Sequence, residues 1–325
     1  MELKELWKKV KKYPNVIAYS GKLQPRIRKG KVIEDELCFR VYVTKKLPEV
    51  QLRPQHVIPK SLKLGRKEVP TDVVEQGEVI ALSIDKTKRH RPCPAGCSIG
   101  HYKITAGTLG WFAKDKEDGE IVIVSNNHVL ANENKAKKGD PILQPGPYDG
   151  GKVQTDTIAR LKRFVPLKFS EYNCKYRNFL LRLKKAFLGE PENRVDIACA
   201  SPLNPEKDIK IEIVDIGLVR GKRTPKVGDK VQKSGRTTCH TLGGEVIDDA
   251  WNGYVWYSRG KCFFVDQILI SKKGFSAGGD SGSLILDMDN NAVAWLFAGS
   301  ETTTVGNKID NVERELNVEV LTFKD

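Results

Sequence analysis

The sequence predicts a mainly β chain, a double β-barrel preceded by a small N-terminal α+β module. Three observations carry this prediction. Two stretches, 91–205 and 206–325, are of similar size. Each holds several short apolar strands separated by turn residues, the pattern of a barrel or sandwich. Residues 1–90 differ in texture, mixing a helix-like start, strands and a Pro-punctuated segment, and no short repeat of fixed period runs through the chain.

Composition bounds the remaining classes. The 325 residues are 39% hydrophobic and 30% charged, which supplies a packed core and excludes wholesale disorder. No apolar run reaches the roughly 18 residues of a membrane-spanning helix. Met1 to Tyr13 is Lys-rich, with Leu3, Leu6, Trp7 and Val10 on one helical face. It lacks the long apolar core of a secretory signal, so the expected location is cytoplasmic. Seven cysteines are too few and too scattered for a disulfide scaffold. Cys93 and Cys97 flank a Pro-Ala-Gly turn and read as ordinary thiols, with a local bridge or metal ligation as the alternatives. No further ligands stand at helpful spacing, so neither a metal nor another cofactor is expected. The net charge of +14 comes from 55 Lys and Arg against 41 Asp and Glu. These residues are spread out rather than blocked, so neither nucleic acid nor a membrane is an expected partner.

The elements follow in order. An apolar stretch spans Val16 to Tyr19, an alternating strand spans Leu37 to Val43, and Val73 and Val74 lie in a further short strand. No catalytic constellation lies in this module, whose expected roles are to gate a cleft or to build a homo-oligomer. Ser83 to Pro94 reads as a basic linker. The second region has strands at Ile104 to Ala113 and Glu120 to Ser125, then a Gly- and Pro-dense loop over Gly139 to Gly151. Tyr172, Tyr176, Phe179, Leu180, Leu183 and Phe187 recur at helical spacing, which predicts a basic amphipathic helix inserted near 172–188. Packing against the barrel or a neighbouring subunit is its expected role. The third region has strands at Ile211 to Val219, Val255 to Tyr257, Phe263 to Ile270, Ser283 to Leu286 and Ala292 to Ala298. Turns are expected at Gly243-Gly244 and Asn252-Gly253, and a closing helix at Ile309 to Leu316.

Three motifs carry chemistry. Gly278-Gly279-Asp280-Ser281-Gly282-Ser283 places a serine among glycines. A serine hydroxyl is a weak nucleophile that needs a base and an oxyanion site. Glycine before it lets backbone N–H groups converge, so Gly279 and Ser281 are the oxyanion candidates, and Gly282 is expected to leave room for substrate. His128 alone among five histidines ends a buried apolar strand, as a rigidly held general base must. Asp196, in Arg194-Val195-Asp196-Ile197-Ala198, is flanked by apolar residues and needs a partner. A catalytic imidazole is such a partner. Asp140, Asp149 and Asp156 compete for that role from the loop after His128. The order His, Asp, Ser separates this set from the subtilisin and α/β-hydrolase orders. The first barrel would then supply His128 and Asp196, and the second Ser281.

With these motifs the chain resembles the trypsin-like, chymotrypsin-fold serine peptidases, and most of all an intracellular microbial branch related to the Narrow Leaf type. The resemblance rests on SIGH (98–101), AGTLG (106–110), SNNHVLA (125–131), GDPILQPGPYDGG (139–151), VDIA (195–198), VQKSGRTT (231–238), GDSGSL (279–284) and LFAGS (296–300). RVYVTKKLP (40–48), IPKSL (58–62) and VPTDVVEQGEV (69–79) extend it into the N-terminal module. It implies a chymotrypsin-type double barrel and an endopeptidase acting on proteins or peptides. In it His128 is base, Asp196 orienter, Ser281 nucleophile, and Gly279 with Ser281 the oxyanion hole. It also implies a substrate pocket with Phe275 at its base, Gly278 and Gly299 in open walls, and Leu296, Phe297 and Ala298 on the substrate-pairing strand. Small or medium apolar side chains are then the expected preference. The competing reading is a catalytically weak scaffold or binding protein on the same fold. No cysteine follows His128 and Ala277 stands near the nucleophile, where many secreted relatives carry cysteines, in keeping with a reduced compartment.

Overall fold

The computed structural model describes residues 3–323 apart from 29–30, 49–50, 77–83, 175–177, 179–180, 182–184 and 187–188. The chain divides into two compact units, Met1–Ser83 and Ile84–Asp325. In the first, the helix Leu3–Val10 buries Leu6 and Val10 against Phe39, Val41, Leu62 and Val69 of a small sheet. That sheet runs Val16–Tyr19, Lys31–Val43, Lys67–Glu75, Ser61–Leu64, with Gln24–Arg28 also paired to Lys31–Val43. The Lys31–Val43 and Lys67–Glu75 pair is parallel, and the helix and mixed sheet make the α+β module.

The second unit is the predicted double barrel, and its strand pairing closes two rings. In the first, the order is Trp111–Asp115, Ile121–Ser125, Ala198–Pro202, Thr157–Phe164, Pro141–Leu143, Ser98–His101 and Gly107–Thr108. Gly107–Thr108 runs on through Leu109 and Gly110 into Trp111–Asp115, which shuts the ring. The strand expected over Ile104 to Ala113 is therefore two strands with a bend between them. In the second ring, Lys230–Gly235, Cys239–Tyr257, Gly260–Ser271, Thr303–Lys308, Asn291–Gly299 and Leu284–Asp287 pair antiparallel in that order. Leu284–Asp287 returns to Lys230–Gly235. Closure removes the exposed edges an open sheet would leave. Buried apolar side chains pack both barrels, among them Trp111, Phe112, Val122 and Ile123 in the first and Val231, Val246, Ile268 and Phe275 in the second.

The structure corrects several local readings. Gly243-Gly244 and Asn252-Gly253 are not turns. They lie inside the 19-residue strand Cys239–Tyr257, whose register shifts three times along its partner. Glycine within a strand marks bulges and close contacts as readily as turns. Phe169–Tyr172 and Glu192–Asn193 pair with the second sheet, and Val318–Val320 pairs with the first. The segment Ser83 to Pro94 is not wholly a solvated linker, because Lys86 is buried, 3.0 Å from Asp215, and Cys93–Ala95 pairs as a strand. Cys93 and Cys97 are free, buried thiols. Of the predicted basic helix, Asn178, Leu181, Lys185 and Ala186 are helical, while Tyr176, Phe179, Leu180, Leu183 and Phe187 lie outside the described residues. The closing helix is Ile309–Leu316, as expected. Among the described residues no helix is long and apolar enough to cross a membrane.

Candidate active site

His128 sits in the single helical turn Asn127–Leu130 that follows the buried strand Ile121–Ser125. The preceding asparagines fix this turn. Asn126 Nδ2 donates to the Asp196 carbonyl at 2.8 Å, and Asn127 Nδ2 donates to the Val165 carbonyl at 2.8 Å. Asp196 is wholly buried. Its Oδ2 lies 2.6 Å from His128 Nδ1, and its Oδ1 accepts the His128 backbone N–H at 3.2 Å. Of the four carboxylates considered, Asp196 is the one that meets His128, and the other three have partners elsewhere. Asp140 holds His101 at 3.0 Å, Asp149 accepts from Arg236 Nε at 2.9 Å, and Asp156 pairs with Arg89 at 3.1 Å. Burial opposes charge on His128, but the adjoining Asp196 carboxylate outweighs it and raises the imidazole above its ordinary value.

The loop carrying Ser281 is set between the barrels. The Ser281 carbonyl accepts the Thr108 N–H at 2.8 Å, and Thr108 Oγ1 donates to the Gly279 carbonyl at 2.9 Å. Gly279 and Gly282 have φ of +98° and +99°, a region that side chains other than glycine's strain to occupy. A Cβ on Gly282 would collide with Ser125 Oγ and the Thr108 carbonyl, so its bareness serves contact between the barrels rather than room for substrate. The N–H groups of Asp280, Gly282 and Ser283 donate to Ala277, Leu296 and Asp280 carbonyls at 3.0, 2.9 and 3.0 Å. Among the described residues, no such acceptor takes the N–H groups of Gly279 and Ser281.

Asp280 anchors this loop. It is fully buried and accepts from the backbone N–H of Thr237 (2.8 Å), Thr238 (3.1 Å) and Ala277 (2.9 Å), and from Thr238 Oγ1 (2.7 Å). The fully buried Lys233 ammonium stands 3.5 Å from its Oδ2. Burial pulls Lys233 down to about 8, against the opposing pull of Asp280.

His128 and Ser281 line one cleft of about 720 Å³, together with Trp251, Tyr257, Phe297 and Ala298. Ser281 also lines an adjoining hollow of about 410 Å³ with Gly278, Leu296, Ala298, Gly299 and Glu301. Five of the six residues expected to bind substrate therefore border this space. Phe275 does not line it. Its ring is fully buried in the second barrel's core, within contact range of the position a Gly244 side chain would take. The loop before Ser281 is shaped so that Ser276 and Ala277, not Phe275, meet the hollow.

Sequence reasoning missed four residues here. Tyr257 donates its hydroxyl to Asp196 Oδ2 at 2.8 Å, and Asn307 Oδ1 accepts the Asp196 N–H at 2.9 Å. Lys233 and Glu301 are the others. VQKSGRTT contains Lys233 in an otherwise strand-like run, and a lysine inside a strand of a barrel was the available signal. Tyr257, Asn307 and Glu301 had none.

No family model matches the chain, and no curated protein matches it. Solved structures do. The chain is similar to Thermobifida fusca protease A at 13% identity, over 71% of this chain and 100% of that one, with a TM-score of 0.47. It is similar to Nocardiopsis protease at 15% identity, over 71% and 100%, with a TM-score of 0.46. It is also similar to Cellulomonas bogoriensis chymotrypsin at 15% identity, over 70% and 98%, with a TM-score of 0.45.

Proposed function

We propose that the protein is a serine endopeptidase of the trypsin-like class, cleaving peptide bonds through an acyl-enzyme on Ser281. The observation that carries this reading is the 2.6 Å contact of His128 Nδ1 with a wholly buried Asp196, at a cleft His128 shares with Ser281. In this reading Ser281 Oγ attacks the scissile carbonyl while His128 Nε2 takes its proton. The N–H groups of Gly279 and Ser281 receive the oxyanion. Collapse of the tetrahedral species expels the amine, which leaves with the proton from His128. A water molecule then repeats the sequence on the acyl-enzyme and frees Ser281. Asp196 keeps the proton on Nδ1, so that Nε2 is the free base, and stabilises the imidazolium.

A fluorophosphonate probe tests the reading directly, because it reports an activated serine without knowledge of the substrate. Labelling of wild type, lost in Ser281→Ala and His128→Ala, is the expected result. Folded wild type that stays unlabelled would favour the scaffold alternative.

A further inference from the structure

We infer, building on the peptidase reading above, that Tyr257 is a positioning residue whose hydroxyl holds the Asp196 carboxylate in the orientation that keeps His128 in register. Asp196 is the member of the pair that has to be oriented. Its main chain is already fixed without Tyr257, since Asn126 Nδ2 binds its carbonyl at 2.8 Å and Asn307 Oδ1 accepts its N–H at 2.9 Å. What remains to be set is the rotation of the carboxylate and the distribution of its charge. Oδ1 has the His128 backbone N–H at 3.2 Å. Oδ2 has two partners, His128 Nδ1 at 2.6 Å and the Tyr257 hydroxyl at 2.8 Å. A buried carboxylate gains substantially from each such charge-assisted donor. The second barrel thus reaches the Asp196 carboxylate through the Tyr257 phenol, as it reaches the Asp196 main chain through Asn307.

The phenol is suited to that task. Burial, then the charge of Asp196, holds the Tyr257 hydroxyl well above its ordinary range, so it stays a donor wherever His128 works. Tyr257 also meets the His128 ring edge-on, with centroids 5.9 Å apart. It ends the strand Cys239–Tyr257, one residue before a tightly held hairpin tip. Glu133, five residues after His128, accepts from the Ser258 N–H at 3.0 Å and from its hydroxyl at 2.8 Å. The Glu133 carbonyl accepts from Arg259 Nη1 at 2.7 Å. From the other side, the Asn173 N–H and Nδ2 reach the carbonyls of Arg259 (2.8 Å) and Ser258 (2.9 Å). The start of the inserted segment therefore braces the hairpin that delivers Tyr257.

The test is Tyr257→Phe, which keeps the ring and removes only the donor. The titratable groups facing His128 are Asp196, Tyr257 and Glu133, with Cys262 behind Tyr257, its thiol pushed up by burial. Removing the phenolic donor concentrates carboxylate charge on His128 Nδ1–H and favours the imidazolium. We expect the His128 imidazole, followed by NMR, and the acidic limb of kcat/KM to move up together. We also expect kcat to fall roughly ten- to a hundredfold, with KM changed by no more than about twofold. Asn173→Ala, which touches no member of the triad, should lower kcat in the same direction by less and add nothing in the Tyr257→Phe background. Wild type labelled by fluorophosphonate, with Tyr257→Phe titrating and turning over like wild type, would overturn this proposal alone. Wild type that is never labelled would overturn the peptidase reading and take the proposal with it.

Discussion

Replacing Lys233 with Met isolates the ion pair beneath the Ser281 loop. The substitution is close in volume and removes from a fully buried site the charge and its hydrogen bonds to Thr238 Oγ1 and the Cys239 carbonyl. Asp280 is then a buried carboxylate without its ion-pair partner. Breaking such a pair costs about 3–5 kcal/mol. Two features of the geometry place the effect at the lower end. The Lys233 to Asp280 separation is 3.5 Å, long for a direct hydrogen bond. Asp280 also keeps its donors from Thr237, Thr238 and Ala277, and the cost of burying the ammonium disappears with it. Set against that, the depression of Lys233 from 10.5 to about 8 means that burying the ammonium costs at least as much as the pair returns, so Tm should change by no more than a few degrees. The activity loss should be larger than stability alone explains. Asp280 lies between Gly279 and Ser281, and losing one oxyanion donor costs about 10²–10³ in kcat. The pH dependence supplies an independent sign. Lys233 is depressed to about 8 from an ordinary 10.5. Between those values the unfolded chain holds more protons than the folded one, so this group's contribution to stability rises with pH. Activity should fall over the same window as the ammonium opposite Asp280 is lost. Calorimetry of both proteins, with kcat/KM measured from pH 6 to 10, checks all of this. A Lys233→Met protein with wild-type kcat, or with a Tm lowered by more than about 10 °C, would refute the reasoning. So would an alkaline loss of activity that tracks unfolding.

Two further predictions concern the site itself. Asp196→Asn should keep the fold, because Asn126 and Asn307 hold its main chain, yet lose about 10⁴ in kcat through the wrong His128 tautomer, as read in a steady-state assay alongside circular dichroism. In the hollow beside Ser281, small residues and Leu296 predict a modest preference for small or medium apolar side chains, since each methylene is worth about 1–3 kcal/mol in such a pocket. Asp266 and Asp287 are engaged elsewhere, with Lys308 and Arg223, so a peptide library dominated by Lys or Arg would instead assign selection to Glu301, and Glu301→Gln would abolish it.

The parts of this molecule that were legible in its sequence are those set by neighbours along the chain. His128 follows a run of buried apolar residues, Ser281 stands among glycines, and Asp196 is an acidic residue amid apolar ones, so each motif reports its own local environment. The double barrel was legible for the same reason, because short apolar strands with turns between them have few ways to hide their edges. Phe275 was misplaced because counting back from a nucleophile assumes a loop length, and here the loop sends that ring into the core. Tyr257 lies 61 residues from Asp196, and no window of sequence joins them. Its direction is set by the strand Cys239–Tyr257, along which the register shifts three times before the tip. Side chains alternate faces with a period of two, so each inserted residue exchanges inside for outside. Reading Asn252-Gly253 as a turn left only Val255 to Tyr257 as strand and removed the count on which that alternation depends. A bulge gained or lost on the way to the tip would turn the Tyr257 hydroxyl from the His–Asp pair toward solvent. On that ground the irregularities of this hairpin belong to the geometry of the site as much as the glycines beside Ser281 do.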